Sequence, residues 1–197
     1  VMDIVSLWTW RGRHDGTTLK HVLPGAMAGI AIGWATAAFV TAGAIRLIVG
    51  VVALVFFLRW LTQRAAAAGQ PAKQNLARGS FWGMVAGFTS FVAHAGGPPY
   101  QVYALPLRHP PQVYVGTSVV FFAVVNAVKL IPYFALGQFD TTNLAASAIL
   151  MPIAPLATLA GAWIVRRIRP EIFYPLMYWM IALISLKLIY DGMIDIW

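Results

Sequence analysis

Residues Ser90 to Pro106 read SFVAHAGGPPYQVYALP. They interrupt a segment, 79–107, whose flanks are apolar enough for a helix in lipid, with a histidine, two glycines and two prolines. Proline lacks an N–H and resists helix continuation, and the residue before a proline avoids the α region. Gly97 precedes Pro98 and Pro98 precedes Pro99, so a helix entering from residue 79 is expected to stop near Gly96. Broken backbone at membrane depth is tolerated only where it is buried in protein or lines a wet cavity. Two architectures satisfy that condition: a full crossing kinked by proline, and a hairpin that dips in and returns.

The rest of the chain sets the environment. It has 197 residues, 60% hydrophobic and 10% charged, with a mean hydropathy of +0.74. A soluble domain has about 45–50% apolar and about 25% charged residues. The composition is that of an integral membrane protein, and long unbroken apolar runs make it all-α, a polytopic helix bundle, because barrels alternate in period two. Five stretches reach the roughly 20 residues a crossing needs: 22–41, 43–61, 112–136, 142–164 and 172–190. Residues 62–78, TQRAAAAGQPAKQNLAR, are the longest polar connection and divide the chain into 1–61 and 79–197. Residues 1–10 read as the tail of an earlier helix, and the chain is expected to be N-terminally incomplete. With no cysteine there is no disulfide or thiolate metal site, and no cofactor is implied.

GRHDGTTL, Gly12 to Leu19, is similar to GQFDTTNL, Gly137 to Leu144; both read G-x-x-D-x-x-x-L, and each is followed by two apolar stretches. The expectation is an inverted repeat, its first half ending at 61 and its second running from 79. Lys and Arg distribute accordingly. Cytoplasmic loops carry their excess. If 79–107 crosses fully, the Arg166–Arg167–Arg169 cluster falls on the wrong side. If it re-enters, the loop charges at Arg11, Arg13, Lys20, Arg59, Arg64, Lys73, Arg78, Arg108, Arg166, Arg167 and Arg169 fall inside and Arg46 alone outside. The charge pattern favours a re-entrant, broken helix turning at Gly96–Pro99, and it makes the two halves antiparallel, a plan common among transporters. The net charge of +8 is explained by orientation, so no nucleic acid is expected.

A helix that starts inside the membrane presents backbone N–H groups and a partial positive charge, a site for an anion. Proline suits the first helical turn, so Pro98 and Pro99 can open a half-helix, with donors expected around Tyr100, Gln101 and Val102. Gly96 and Gly97 allow close approach to the backbone. His94, just before the turn, is equally read as a packed histidine or as a ligand contact. On the following span Asn126, Lys129 and Tyr133 share one helical face. Lys129 lies deep enough that an interior charge is favoured over snorkelling. Thr117 and Ser118 add hydroxyls, or bond their own backbone. Lys187 is read as snorkelling, and Pro152, Pro155 and Pro175 as kinks. The acids Asp3, Asp15, Asp140, Glu171, Asp191 and Asp195 lie in loops or near ends, so neither a carboxylate-held Mg²⁺ nor an acid-lined cation path has support. The chain is not expected to be an enzyme.

AGFTSFVAHAGGPPYQVYAL, GTSVVFFAVVNAVKLIPYFALGQFD and RRIRPEIFYPLMYWMIALISLKLI resemble the second half of the sulfite exporter TauE/SafE family, and residues 11–61 resemble the end of its first half. The family's glycine-rich break is carried here by Gly96, Gly97 and Pro98, and its Asn and Lys on the next helix map to Asn126 and Lys129. Where the family usually has small residues before the double glycine, this chain has His94 and Ala95. The resemblance implies a bacterial, multi-pass inner-membrane protein that moves a small sulfur-containing or organic anion. The primary reading is a secondary transporter with its site at His94, Gly96, Gly97, Pro98, Tyr100, Gln101, Thr117, Ser118, Asn126, Lys129 and Tyr133. A passive anion channel and a non-transporting membrane subunit are the alternatives. Its partners are the small anion and the lipid bilayer, and a homodimer stays open. Cysteines introduced singly at Arg108 and Arg167 are expected to react with an impermeant maleimide from the cytoplasmic side only; labelling of 167 from outside would replace the hairpin with a full crossing.

Overall fold

The computed structural model describes residues 2–63, 71–135 and 153–196, and every regular element among them is helical. In chain order they are α1 (Met2–Thr9), α2 (Gly16–Thr36), α3 (Ala42–Gln63), α4 (Leu76–Ala93), α5 (Gly97–Ala104), a 3₁₀ turn (Leu105–Leu107), α6 (Pro111–Ala135), α7 (Ile153–Arg167) and α8 (Pro170–Ile196). Among the described residues, three helices are long and apolar enough to cross a membrane: Ala42–Thr62, Pro111–Ala135 and Pro170–Ile196. The second copy of the repeated motif, Gly137 to Leu144, Pro152 and the first part of the 142–164 span lie outside the described residues.

Local chemistry sets the helix starts. The Asp15 carboxylate accepts from the Thr18 N–H at 2.6 Å, so α2 begins at Gly16 rather than at 22. The Asn75 side chain accepts from the Arg78 N–H at 2.9 Å and opens α4. Both satisfy a donor that has no partner inside its own helix. Proline heads α6 and α8, where its missing N–H costs nothing. Pro155 likewise falls in the first turn of α7 rather than at a kink, while Pro175 lies inside α8.

Helices α2 and α4 pack backbone against backbone. Glycines at 25 and 29 face glycines at 83 and 87. A Cβ at Gly25 would lie 1.9 Å from the Ser80 carbonyl oxygen, and one at Gly29 2.0 Å from that of Met84. From the other side, a Cβ at Gly83 would lie 2.1 Å from the Val22 carbonyl oxygen, and one at Gly87 2.2 Å from that of Ala26. Two G-x-x-x-G stripes thus let backbone touch backbone, the way helices associate where lipid removes any hydrophobic drive between them. The Ser80 hydroxyl adds a hydrogen bond to the His21 carbonyl at 3.0 Å. A second pair, α3 and α8, closes over Gly50 and Gly192 and carries the Arg46–Asp195 ion pair. Lys187, which points out, pairs with Asp191 one turn on.

Helix α4 ends at Ala93. His94 takes a left-handed conformation, φ 55°, and the Ala95 N–H reaches back to the Thr89 carbonyl at 3.1 Å, so the break falls at His94–Gly96. The chain then returns along α4. The Ala72 N–H donates to the Pro106 carbonyl at 2.9 Å, and the Tyr103 hydroxyl reaches the Asn75 carbonyl at 3.4 Å. The start of α4 and the end of the 3₁₀ turn therefore lie together at one end of the bundle. Tyr100 of α5, 1% exposed, stacks on Phe121 of α6 at 4.6 Å and locks the returning arm to the next helix. Gly83→Leu is expected to destabilise by about 3 kcal/mol or more, because its side chain meets backbone that cannot yield. Gly97→Ala, whose Cβ meets nothing within 4 Å, is expected to change stability by less than about 0.5 kcal/mol. Thermal unfolding in detergent checks the order of the two.

Candidate functional site

The tip of the α4–α5 pair rests against α6. Lys129, 6% exposed, donates from Nζ to the Ser90 hydroxyl at 3.0 Å and to the Ser90 carbonyl at 3.3 Å. The ammonium sits at the carbonyl end of α4, the end where a helix favours positive charge. Tyr133, one turn further along α6, donates to the Phe91 carbonyl at 3.1 Å, and the His94 ring stacks over it at 6.1 Å. Gly96 packs directly on α4: a Cβ there would lie 2.7 Å from both the Ala86 carbonyl oxygen and the Ser90 Cβ. What the bare backbone of Gly96 admits is α4 itself, whereas Gly97 has open space beside it. The Thr89 hydroxyl clasps the turn, bonding to the carbonyls of Val85 at 2.8 Å and Ala95 at 3.2 Å.

The helix-end donors differ from expectation. Helix α5 starts at Gly97, so Pro98 and Pro99 occupy positions that have no N–H to offer. The Tyr100 N–H is already spent on the Gly96 carbonyl at 3.3 Å. Gln101 and Val102 lie beyond the first turn. In that turn the Gly97 N–H is without a hydrogen-bond partner among the described residues.

On the other flank of α5 lies a cavity of about 280 Å³. Gln101 and Tyr100 line it from α5, Ser118 and Phe122 from α6, Asp3 and Ser6 from α1. The Ser118 hydroxyl donates to the Tyr114 carbonyl at 2.9 Å and to the Tyr100 hydroxyl at 3.3 Å. Gln101 Oε1 is buried without a hydrogen-bond partner. Asn126 Nδ2 donates to Asp3 Oδ2 at 3.1 Å. A carboxylate expected at a chain end is thus carried by α1 to the middle of α6. Ser118, Phe122, Asn126 and Lys129 follow one another along the same face of α6, so the stripe runs from the cavity to the hairpin tip.

A family model described as sulfite exporter TauE/SafE matches residues 1–188 of the 197. The chain belongs to that family. No curated protein and no solved structure matches it. In this TauE/SafE protein the residues singled out from sequence fall into three places. His94, Gly96, Lys129 and Tyr133 meet at the tip, with Gly97 and Pro98 opening α5. Tyr100, Gln101 and Ser118 line the cavity, with Asn126 joined to it through Asp3. Thr117 stands apart: its hydroxyl accepts from the Asp15 N–H at 2.8 Å and donates to the Val113 carbonyl at 2.7 Å.

Thr117 thereby joins a polar cluster at the opposite end of the bundle from the tip. The Asp15 carboxylate accepts from the Thr18 N–H and from Gln74 Nε2 at 2.8 Å, with His109 Nε2 3.8 Å away. The Tyr174 hydroxyl donates to the His109 carbonyl. Thr89, Ser90 and Asp3 are not among the residues expected at the site; two adjacent hydroxyls in an apolar run are the signal that points to Thr89 and Ser90, and none points to Asp3. Burial pushes the Asp15 carboxyl up, but the hydrogen bonds from Thr18 and Gln74 and the nearby His109 outweigh it, and the net shift is downward. A carboxyl lowered in the fold stabilises it above the unfolded-state value and loses that contribution as pH falls through the folded-state value. The acid limb of the stability–pH curve is therefore expected to flatten in Asp15→Asn, measured by thermal unfolding in detergent between neutral and acidic pH; an unchanged limb would remove Asp15 as its source.

Proposed function

We propose that this TauE/SafE protein is a secondary transporter for a small sulfur-containing anion, with α4 and α5 forming a re-entrant hairpin whose tip and neighbouring cavity make up the anion path. One observation carries the site: a buried lysine, Lys129, is held at the break between two half-helices. An intramembrane cation is costly to keep unless it has a task, and neutral donors around a fixed positive charge suit an anion. In this reading the anion sheds water onto the Lys129 ammonium, the Gly97 N–H and the hydroxyls that line the path. Lys129 has three N–H donors and gives two contacts to Ser90, which leaves one for cargo. His94 and Tyr133 flank the same tip.

The topology proposed with it places 62–78, Arg108 and the Arg166–Arg169 cluster on the cytoplasmic side of a bacterial inner membrane, with 1–61 and 79–197 as the two inverted halves. The meeting of Ala72 with Pro106 supports a chain that leaves the hairpin where it entered. Exposure of the cargo to either side then follows from rocking of one half against the other.

Purified protein in proteoliposomes is expected to accumulate labelled sulfite or a small alkanesulfonate, and not sulfate to the same extent, when a pH gradient is imposed. Lys129→Met is expected to lower uptake by about a hundredfold, the loss of one charge-assisted contact of up to 3 kcal/mol, while the protein still elutes as a folded species. Flux that stops at equilibrium whatever the gradient would assign a channel instead. No flux of any of the three anions would discard the substrate class.

A further inference from the structure

We propose that Asp3 is the proton-binding site of this anion path, the group that takes up one proton for each monoanion carried. The inference rests on the transport reading above and adds its coupling.

The position of the carboxylate is the first support. Asp3 lines the 280 Å³ cavity together with Tyr100, Gln101 and Ser118. Its Oδ2 accepts from Asn126 Nδ2 at 3.1 Å. Lys129 follows Asn126 by one turn on the same face of α6, and its ammonium lies within electrostatic reach of Asp3. The carboxylate, held by Asn126, and the ammonium, held by Ser90, thus lie along one stripe of α6 without touching. The rest of the cavity wall carries no charged side chain: Ser6 comes from the same helix as Asp3, Tyr100 from α5, Tyr114 from α6 and Met177 from α8. The guanidinium of Arg166, from α7, engages the Thr9 carbonyl and the Trp10 ring at the far end of α1. Among the described residues, Lys129 is the charged group from the elements around Asp3 with which it interacts.

Charge balance is the second support. The Asp3 carboxylate cancels the Lys129 ammonium, so the resting path is neutral. A monoanion entering alone would leave one uncompensated negative charge next to a carboxylate. A monoanion entering with a proton restores neutrality: the proton adds to an Asp3 oxygen, the carboxylic acid forms, and Lys129 is left with the cargo as its counter-ion. On the other side the anion departs, and the acid releases the same proton to water. No bond to the cargo forms or breaks. The buried, unpartnered Gln101 Oε1 in the same cavity is an acceptor with nothing to accept in the resting state, which suits a site that gains an O–H donor in its loaded state.

The test uses the full chain in proteoliposomes, with labelled sulfite and labelled alkanesulfonate as probes and protein-free vesicles subtracted. Wild type is expected to accumulate anion about tenfold per pH unit of imposed gradient, the equivalence of one proton per charge. Asp3→Asn keeps an acceptor for Asn126 but cannot carry a proton. It is expected to reach only equal concentrations on both sides. Asp3→Glu is expected to restore accumulation. Gradient-driven accumulation in Asp3→Asn overturns the inference and leaves transport standing. Failure of Asp3→Glu to restore accumulation also overturns it, because a carboxyl at that position would then not be what carries the proton. Absence of flux in wild type overturns the transport reading and this inference with it.

Discussion

Backbone contact between α2 and α4 is the constraint on which the arrangement depends. Carbonyl oxygens of Ser80, Met84, Val22 and Ala26 occupy the space where side chains of Gly25, Gly29, Gly83 and Gly87 would be. In lipid, apolar surface gains little by meeting other apolar surface, so helices associate through close packing and polar contacts. The α2–α4 interface uses both, with Ser80 bonded to the His21 carbonyl. Its consequence reaches the site. Held flush on α2, α4 presents Ala86 and Ser90, next to its glycine stripe, to the tip at Gly96 and to Lys129.

The break between α4 and α5 is built to be stable. Ending a helix leaves carbonyls without partners. Here Thr89 and Ser90 supply or receive most of the replacement contacts: the Thr89 carbonyl takes the Ala95 N–H, the Thr89 hydroxyl reaches the Ala95 carbonyl, and the Ser90 carbonyl takes Lys129. Lys129 therefore has a structural place as well as the proposed functional one. Its charge complements the negative end of α4, which lets a cation persist at a position where the surroundings are apolar. The same placement fixes the cation within reach of the tip rather than free to extend toward solvent.

Asp3 alters the electrostatic character of that region. From the chain alone the interior is positive or neutral, which suits a plain anion-binding path. With α1 packed along α6, a carboxylate stands beside Asn126, and the region around α6 holds both signs of charge.

The sequence by itself determined the class and the break. Sixty per cent apolar residues and the long runs make membrane helices unavoidable, and Gly97–Pro98–Pro99 cannot continue a helix because two successive N–H groups are missing. The family, too, was legible in the motifs around that break and in Asn126–Lys129. What the tertiary structure decided was which residues meet. Thr117 and Ser118 are neighbours in the chain, yet helical geometry turns one toward Asp15 and the other toward Tyr100. The Gly25–Gly29 and Gly83–Gly87 stripes were visible as spacing, but only the fold pairs them. Asp3 meets Asn126 across most of the described chain, a contact that no local pattern encodes, because local patterns report periodicity along one helix and not the partner packed against it.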